Sequence, residues 1–187
     1  MNGLFKSISV LIITILLQIV IFKFGIFAGG KAIIFFHLYG LVLLPIGWHK
    51  TIYLFFGTIT GAIVDLVLLG GGLHMASGAI IGLMLPHISD AIAPRDGFQK
   101  GHVICALKDG WMRFLSYCFL VSTVYSFGLF AFEGGRLGLI LVALWKAILS
   151  GSLTVILMGL AQGLFGLKRK NKKSKAVSYT HLTLPTT

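Results

Sequence analysis

Three ionisable residues stand inside apolar stretches, where a charge is expensive: Asp65, His74 and Lys146. Asp65 lies in "IVDLVLLGGGLHMA", residues 63–76, and is one of only five acidic residues in a chain of 187. A charged group near the centre of a bilayer costs about 2.5–3.5 kcal/mol on insertion scales, so such groups are expected to have partners. A carboxylate, an imidazole and an amine at similar depth can lock helices together, ligate a solute, or relay a proton. A relay needs a succession of such groups across the membrane, and the chain offers none in the expected inner half. The reading favoured here is an intramembrane polar lock in which Asp65 pairs with His74, Lys146 or both, with Lys146 snorkelling toward the outer surface as the alternative. The chain shows no nucleophile beside a base, no phosphate loop and no pair of carboxylates at acid–base spacing. Cys105 and Cys118, its two cysteines, lack metal-ligand spacing. No catalytic residue, metal or cofactor is therefore expected.

These groups need elements to carry them, and composition restricts which. The chain is 57% hydrophobic and 11% charged, and its mean hydropathy of +0.95 lies far above that of a soluble domain. An all-α polytopic membrane protein follows, with about six transmembrane helices in a single integral membrane domain over residues 1–167. The net charge of +11 would suggest nucleic acid in a soluble protein. Here the basic residues lie between and after apolar runs, where they set topology and meet anionic membrane lipid; no nucleic-acid partner is expected.

Apolar runs near 7–22, 31–47, 51–70, 73–89, 112–132 and 137–165 are the candidate spans. The second and fourth are short, which leaves five spans or a re-entrant second segment as the alternative. No run shows the period-two alternation of a transmembrane barrel. With the N-terminus inside, twelve of the sixteen Lys and Arg fall in cytoplasmic segments and three outside, with Lys146 within a span. The positive-inside rule then makes both termini cytoplasmic. The first run resembles a signal peptide cleavable near Ala28, although an uncleaved span is preferred. Residues 168–176 form a basic cytoplasmic tail. The last eleven, "VSYTHLTLPTT" at 177–187, read as the translation of a sequencing adapter and are expected to be non-native.

At helical spacing Gly57, Gly61 and Asp65 share one side of the third span, and His74, Gly78, Gly82 and Pro86 one side of the fourth. Small residues four apart let helix backbones approach closely. Gly70, Gly71 and Gly72 between them can reverse the chain within a few residues. A tight antiparallel helix pair is predicted, with Asp65 and His74 in its outer third and Lys146 at comparable depth. Gly159 and Gly163 form a further packing pair. Trp48 reads as interfacial, and His37 and His49 lie in or beside the second span. In the loop after the fourth span, "APRDGF" at 93–98 predicts a type I turn with Pro94 second and Gly97 fourth. Residues 99–110 are then expected to form a short surface helix. Pro94, Arg95, Asp96 and Gly97 are candidate partner contacts, with a cationic anchor as the plainer reading.

The stretch "GAIVDLVLLGGGLHMASGAIIGLMLP", residues 61–86, resembles the core signature of the MreD family of rod shape-determining proteins. That signature has a glycine and an aspartate in one span, a short turn, and a Gly-Leu-His opening of the next. The following "IAPRDGF" is similar to a segment of members from Bacteroidota-like bacteria. General layout matches over most of 1–170, and the specific part covers about 40 residues. Matching positions are Gly61, Asp65, Gly72, His74, Pro94, Arg95, Asp96 and Gly97. Gly70-Gly71-Gly72 departs from the longer polar turn common in the family. The resemblance implies a non-catalytic scaffold of cell-wall elongation in the bacterial inner membrane. Its implied partners are a bitopic MreC-like protein, the elongation glycosyltransferase and transpeptidase, and actin-like MreB, directly or through the others. The family is also similar in fold to the substrate-binding subunits of vitamin transporters. The rival function is therefore a small-solute transporter subunit with Asp65, His74 and Lys146 as ligands.

Overall fold

The computed structural model describes residues 2–24, 26–27, 32–68, 70–135 and 137–165. The cleavage point near Ala28, the basic tail 168–176 and the adapter-like 177–187 lie outside the described residues. The described chain is mostly helical. It runs as α1 (Asn2–Phe24), β1 (Ile26–Phe27), β2 (Ala32–Ile33), α2 (Leu38–Val42), α3 (Lys50–Leu68), α4 (Leu73–Ala91), α5 (Ala106–Asp109), α6 (Trp111–Gly134), a 3₁₀ turn (Leu137–Leu139) and α7 (Ile140–Phe165). The two strands form a two-residue antiparallel hairpin, with Ile26 opposite Ile33 and Phe27 opposite Ala32.

Lys50–Leu68, Trp111–Gly134 and Ile140–Leu164 are long and apolar enough to cross a membrane, and Ser7–Ile21 forms a shorter apolar helix. The distribution of polarity is that of a protein in lipid. Leu66 and Leu141 are 78% and 79% exposed, whereas Gln18, Ser122, Ser150 and Thr154 are fully buried. Without water outside, apolar side chains gain little by turning inward, and polar ones gain partners there.

The expected second span is corrected by the structure. Residues 31–47 do not make a membrane-length helix; helix is confined to the five residues of α2. Pro45 lacks an amide proton and disfavours helix at Leu44. Gly40 instead brings this segment against α1, where a Cβ would lie 2.7 Å from Thr14 Oγ1 and 2.8 Å from Leu11 Cα.

Residues 33–39 nonetheless run along α7. The Ile33 amide donates to Ser150 Oγ at 3.1 Å and the Phe35 amide to Thr154 Oγ1 at 3.0 Å, while the Tyr39 hydroxyl donates to Gln162 Oε1 at 2.7 Å. No extended run continues past Phe35, because Phe36 and His37 form a turn and α2 begins at Leu38; the Ile33 and Phe35 amides meet Ser150 and Thr154, one helical turn apart, and the long Tyr39 and Gln162 side chains span the rest. Gln18 of α1 holds the other side: its Nε2 donates to the Ile34 carbonyl at 2.8 Å and its Oε1 accepts the His37 amide at 3.0 Å. Non-helical backbone at membrane depth survives only when protein encloses and satisfies it. Residues 35–42 are all buried. The described residues thus hold five long helices, α1, α3, α4, α6 and α7, with this enclosed strap bonded between α1 and α7.

Helices α3 and α4 pack face to face through glycine. A Cβ at Gly57 would overlap the Gly78 carbonyl, one at Gly78 the Gly57 carbonyl, and one at Gly61 the His74 carbonyl. A Cβ at Gly82 would lie 2.6 Å from the Tyr53 carbonyl oxygen. The backbones therefore touch directly along the stripe that spacing places on each helix.

Candidate functional site

The α3–α4 turn is built by glycines that can adopt positive φ: Gly71 at +64° and Gly72 at +90°. Gly72 is the N-cap of α4 and has no side chain to bond the helix's first amides. Asp65 supplies the missing acceptor from the preceding helix. Its Oδ1 accepts the His74 amide at 3.2 Å and its Oδ2 the Met75 amide at 2.7 Å. These are two of the amides that the first turn of a helix cannot satisfy itself, at the end where the helix dipole favours negative charge. The turn also keeps Gly70 close: a Cβ there would lie 2.5 Å from Asp65 Oδ1 and 3.3 Å from His74 Cδ2.

Asp65 therefore bonds the backbone of His74 and Met75. The His74 ring adds a bond to a third helix, its Nδ1 sharing a hydrogen bond of 2.8 Å with the Tyr125 hydroxyl of α6. The contact continues through rings: Tyr125 lies edge-on to His37 at 5.1 Å between centroids, and to Phe35 at 5.2 Å. Asp65, His74, Tyr125 and the strap residues Phe35 and His37 thus join α3, α4, α6 and the segment before α2 in one buried cluster. His37 is fully buried, and neither of its ring nitrogens has a hydrogen-bond partner among the described residues.

Of the two partners expected for Asp65, His74 lies beside it, whereas Lys146 makes no ion pair among the described residues. Its Nζ lies 5.4 Å from the centre of the Phe130 ring. The helix carrying it packs against α6 and the strap rather than beside α4. Tyr125 occupies the place expected for the lysine. Nothing in residue type marked it, because a tyrosine in an apolar helix reads as packing; its i, i+4 relation to Val121 and Leu129 gave only a face.

The loop at the opposite end is also corrected. The turn at 94–97 is closed by the Gly97 amide donating to the Pro94 carbonyl at 2.8 Å, so Pro94 is first, not second, and Gly97 fourth, with φ +71°. Arg95, Asp96 and Gly97 are exposed. Residues 99–110 do not form a surface helix: only Ala106–Asp109 is helical, and Ile104, Cys105 and Ala106 are buried. Ile46 fastens the loop by donating its amide to His102 O and accepting the Gly101 amide, both at 2.7 Å. Asp109 holds it from the other side. Its Oδ1 lies 2.9 Å from His102 Nε2, and its Oδ2 accepts the Cys105 amide at 3.0 Å. Trp48 packs on Tyr53 and Phe56 beside this anchor.

Among the described residues, no group of three or more His, Cys, Asp or Glu is placed to hold a metal ion. The chemistry this arrangement performs is adhesion between helices: one carboxylate on one helix start, one imidazole on one hydroxyl. Comparison with family models, curated proteins and solved structures finds no match to this chain.

Proposed function

We propose that this protein is a non-catalytic scaffold of the machinery that elongates the cell wall of rod-shaped bacteria. In this reading it lies in the cytoplasmic membrane and crosses it six times, five times as long helix and once through the segment 33–47, buried over 35–42. The excess of Lys and Arg on one side then puts both termini in the cytoplasm. The observation carrying the reading is the state of Asp65. The residue most capable of chemistry has both oxygens occupied by the first turn of α4. It lies within the stretch 61–86 that resembles the shape-determining signature, and a fold-locking role explains why that stretch pairs an aspartate with a glycine-led helix start. Its partners are a bitopic MreC-like protein, the elongation glycosyltransferase and transpeptidase, and an actin-like filament protein. The exposed turn at Pro94–Gly97 is the contact offered to them on the cytoplasmic side.

The transporter-subunit reading draws on one feature, the unbonded ring nitrogens of His37 beside Tyr125, which a small polar solute would satisfy. Its expected ligand set does not converge, because Lys146 lies over Phe130. Affinity purification from crosslinked membranes separates the two. Recovery of a bitopic coiled-coil protein and cell-wall enzymes supports the scaffold. Recovery of an ATPase module, with a vitamin bound to the purified chain, refutes it.

A further inference from the structure

Two opposite charges near the α6–α7 turn, Glu133 and Lys146, make no ion pair among the described residues. Glu133 is exposed one residue before the end of α6, and Lys146 is half-buried on α7. The Lys146 ammonium lies 5.4 Å from the centre of the Phe130 ring. Phe130 and Glu133, three apart on α6, are neighbours on its surface, with Glu133 about 4.5 Å nearer the turn. The two charges thus follow one another along one strip of the bundle, the cation deeper and the carboxylate nearer the turn. Phe132 and Trp145, the residues next to them in the chain, are exposed.

Depth decides what meets this strip. The apolar span Ile140–Leu164 has 25 residues, about 37 Å against a hydrocarbon layer of about 30 Å, so each end overhangs by about 4 Å. The Lys146 backbone, about 9 Å from the start of that span, then lies about 5 Å inside hydrocarbon. Leu115 lies beside Gly159 and Trp111 beside Gly163, a register that sets Lys146 level with Gly128. Its ammonium, at Phe130, therefore reaches about 3 Å toward the turn, to within about 2 Å of the hydrocarbon edge, and Glu133 lies about 2 Å beyond that edge. Phospholipid headgroups stand at this boundary, and their charges come in the same order, phosphate next to the acyl chains and any amine beyond it. A purely anionic headgroup would meet Lys146 but be repelled by Glu133, and a quaternary amine has no N–H to donate to a carboxylate. We propose that Glu133 and Lys146 form a site for a phospholipid whose headgroup carries a primary amine, of the phosphatidylethanolamine type, with its phosphate on Lys146 and its ammonium on Glu133. The proposal rests on the chain spanning a membrane and does not need the cell-wall role.

Trp145, beside Lys146 in the chain, provides the readout. The full-length chain carrying Trp48→Phe and Trp111→Phe, with Trp145 as its one tryptophan, is reconstituted into phosphatidylcholine vesicles. Phosphatidylethanolamine, phosphatidylglycerol or phosphatidylcholine with brominated acyl chains, which quench tryptophan on contact, is included at increasing fractions. Phosphatidylethanolamine should bind about two- to five-fold more tightly than either other lipid, the effect of one ion pair at an exposed site. Glu133→Gln, at an exposed position, should lower it to the level of phosphatidylcholine, while Glu133→Asp keeps the preference. Lys146→Met should weaken the binding of phosphatidylethanolamine and phosphatidylglycerol alike. Equal quenching by the three lipids would mean ordinary boundary lipid, and a preference for phosphatidylglycerol would mean a site for anions alone; either overturns the proposal. So would a preference for phosphatidylethanolamine that survives Glu133→Gln, since headgroup size or packing would then explain it. A Trp145 that none of the brominated lipids quenches would mean that a protein surface covers the strip, and would likewise overturn it.

Discussion

Replacing Asp65 by alanine removes the acceptor for two amides at the start of α4, and the loss can be worked from the geometry. The Met75 bond at 2.7 Å is short and charge-assisted, while the His74 bond at 3.2 Å is weaker. Hydrogen bonds to charged groups contribute about 1.5–3 kcal/mol each, and a carboxylate at a helix start about 0.3–1 kcal/mol through the dipole. Counting the longer bond at a fraction of the shorter, Asp65→Ala should cost about 2–4 kcal/mol. At roughly 2–4 °C per kcal/mol for a domain of this size, the unfolding midpoint in detergent should fall by about 4–16 °C. Asp65→Asn keeps one acceptor but turns an amide donor toward an amide donor, and should cost less, about 1–2 kcal/mol. Lys146→Met is the decisive control. Phe130 is buried and Lys146 half-buried, so their cation–ring contact contributes about 1–2 kcal/mol, and the midpoint should fall less than for Asp65→Ala. The measurement is thermal unfolding of the three purified variants followed by intrinsic fluorescence. If Asp65→Ala unfolds within a degree or two of the parent, the capping argument is wrong. If Lys146→Met is as damaging as Asp65→Ala, the two are partners after all.

Other consequences follow from the same contacts. Gly57→Ala drives a methyl into the Gly78 carbonyl, and because backbone cannot rotate away it should cost about 3 kcal/mol, the upper end for overpacking. Gly71→Ala meets nothing within 4 Å and should cost only the positive-φ penalty, about 1–2 kcal/mol; both are read as shifts in detergent unfolding. Gln18→Leu leaves the Ile34 carbonyl and His37 amide of the strap without partners, at about 1–3 kcal/mol for each. Amide exchange over residues 33–40, followed by mass spectrometry, should speed up about ten-fold or more, and unchanged exchange would show that Gln18 does not hold the strap.

The α3–α4 pair was legible because three signals agreed. Glycines spaced by four put Gly57 and Gly61 on one face and Gly78 and Gly82 on the other, and Gly70 to Gly72 could only be a turn. That Asp65 and His74 come together followed from the same spacing. Which atoms meet did not, because helical periodicity fixes a face and says nothing of whether a backbone amide or a ring lies opposite. Lys146 was misplaced for a related reason. Counting residues gives depth, but depth does not say which helix is the neighbour, and α7 lies beside α6 and the strap. The strap was the least legible part. "KAIIFFHLYGLVLLPIG" is as apolar as a helix, and the local warnings, Gly40 and Pro45, are mild. Its actual supports, Gln18, Ser150, Thr154 and Gln162, lie 16 to 123 residues away in sequence from the positions they bond. Within its own helix, nothing in the spacing of any of them points to the strap.

The scaffold account stands or falls on cell shape. Under the proposed scaffold role, depleting this chain in its host, with growth kept on rich medium, should convert rod-shaped cells to spheres within a few generations. Re-expression of the parent chain or of Lys146→Met should restore rods, while Asp65→Ala restores them poorly and accumulates less protein. Cells that keep their rod shape after depletion, and instead acquire a requirement for an added vitamin, would contradict the account.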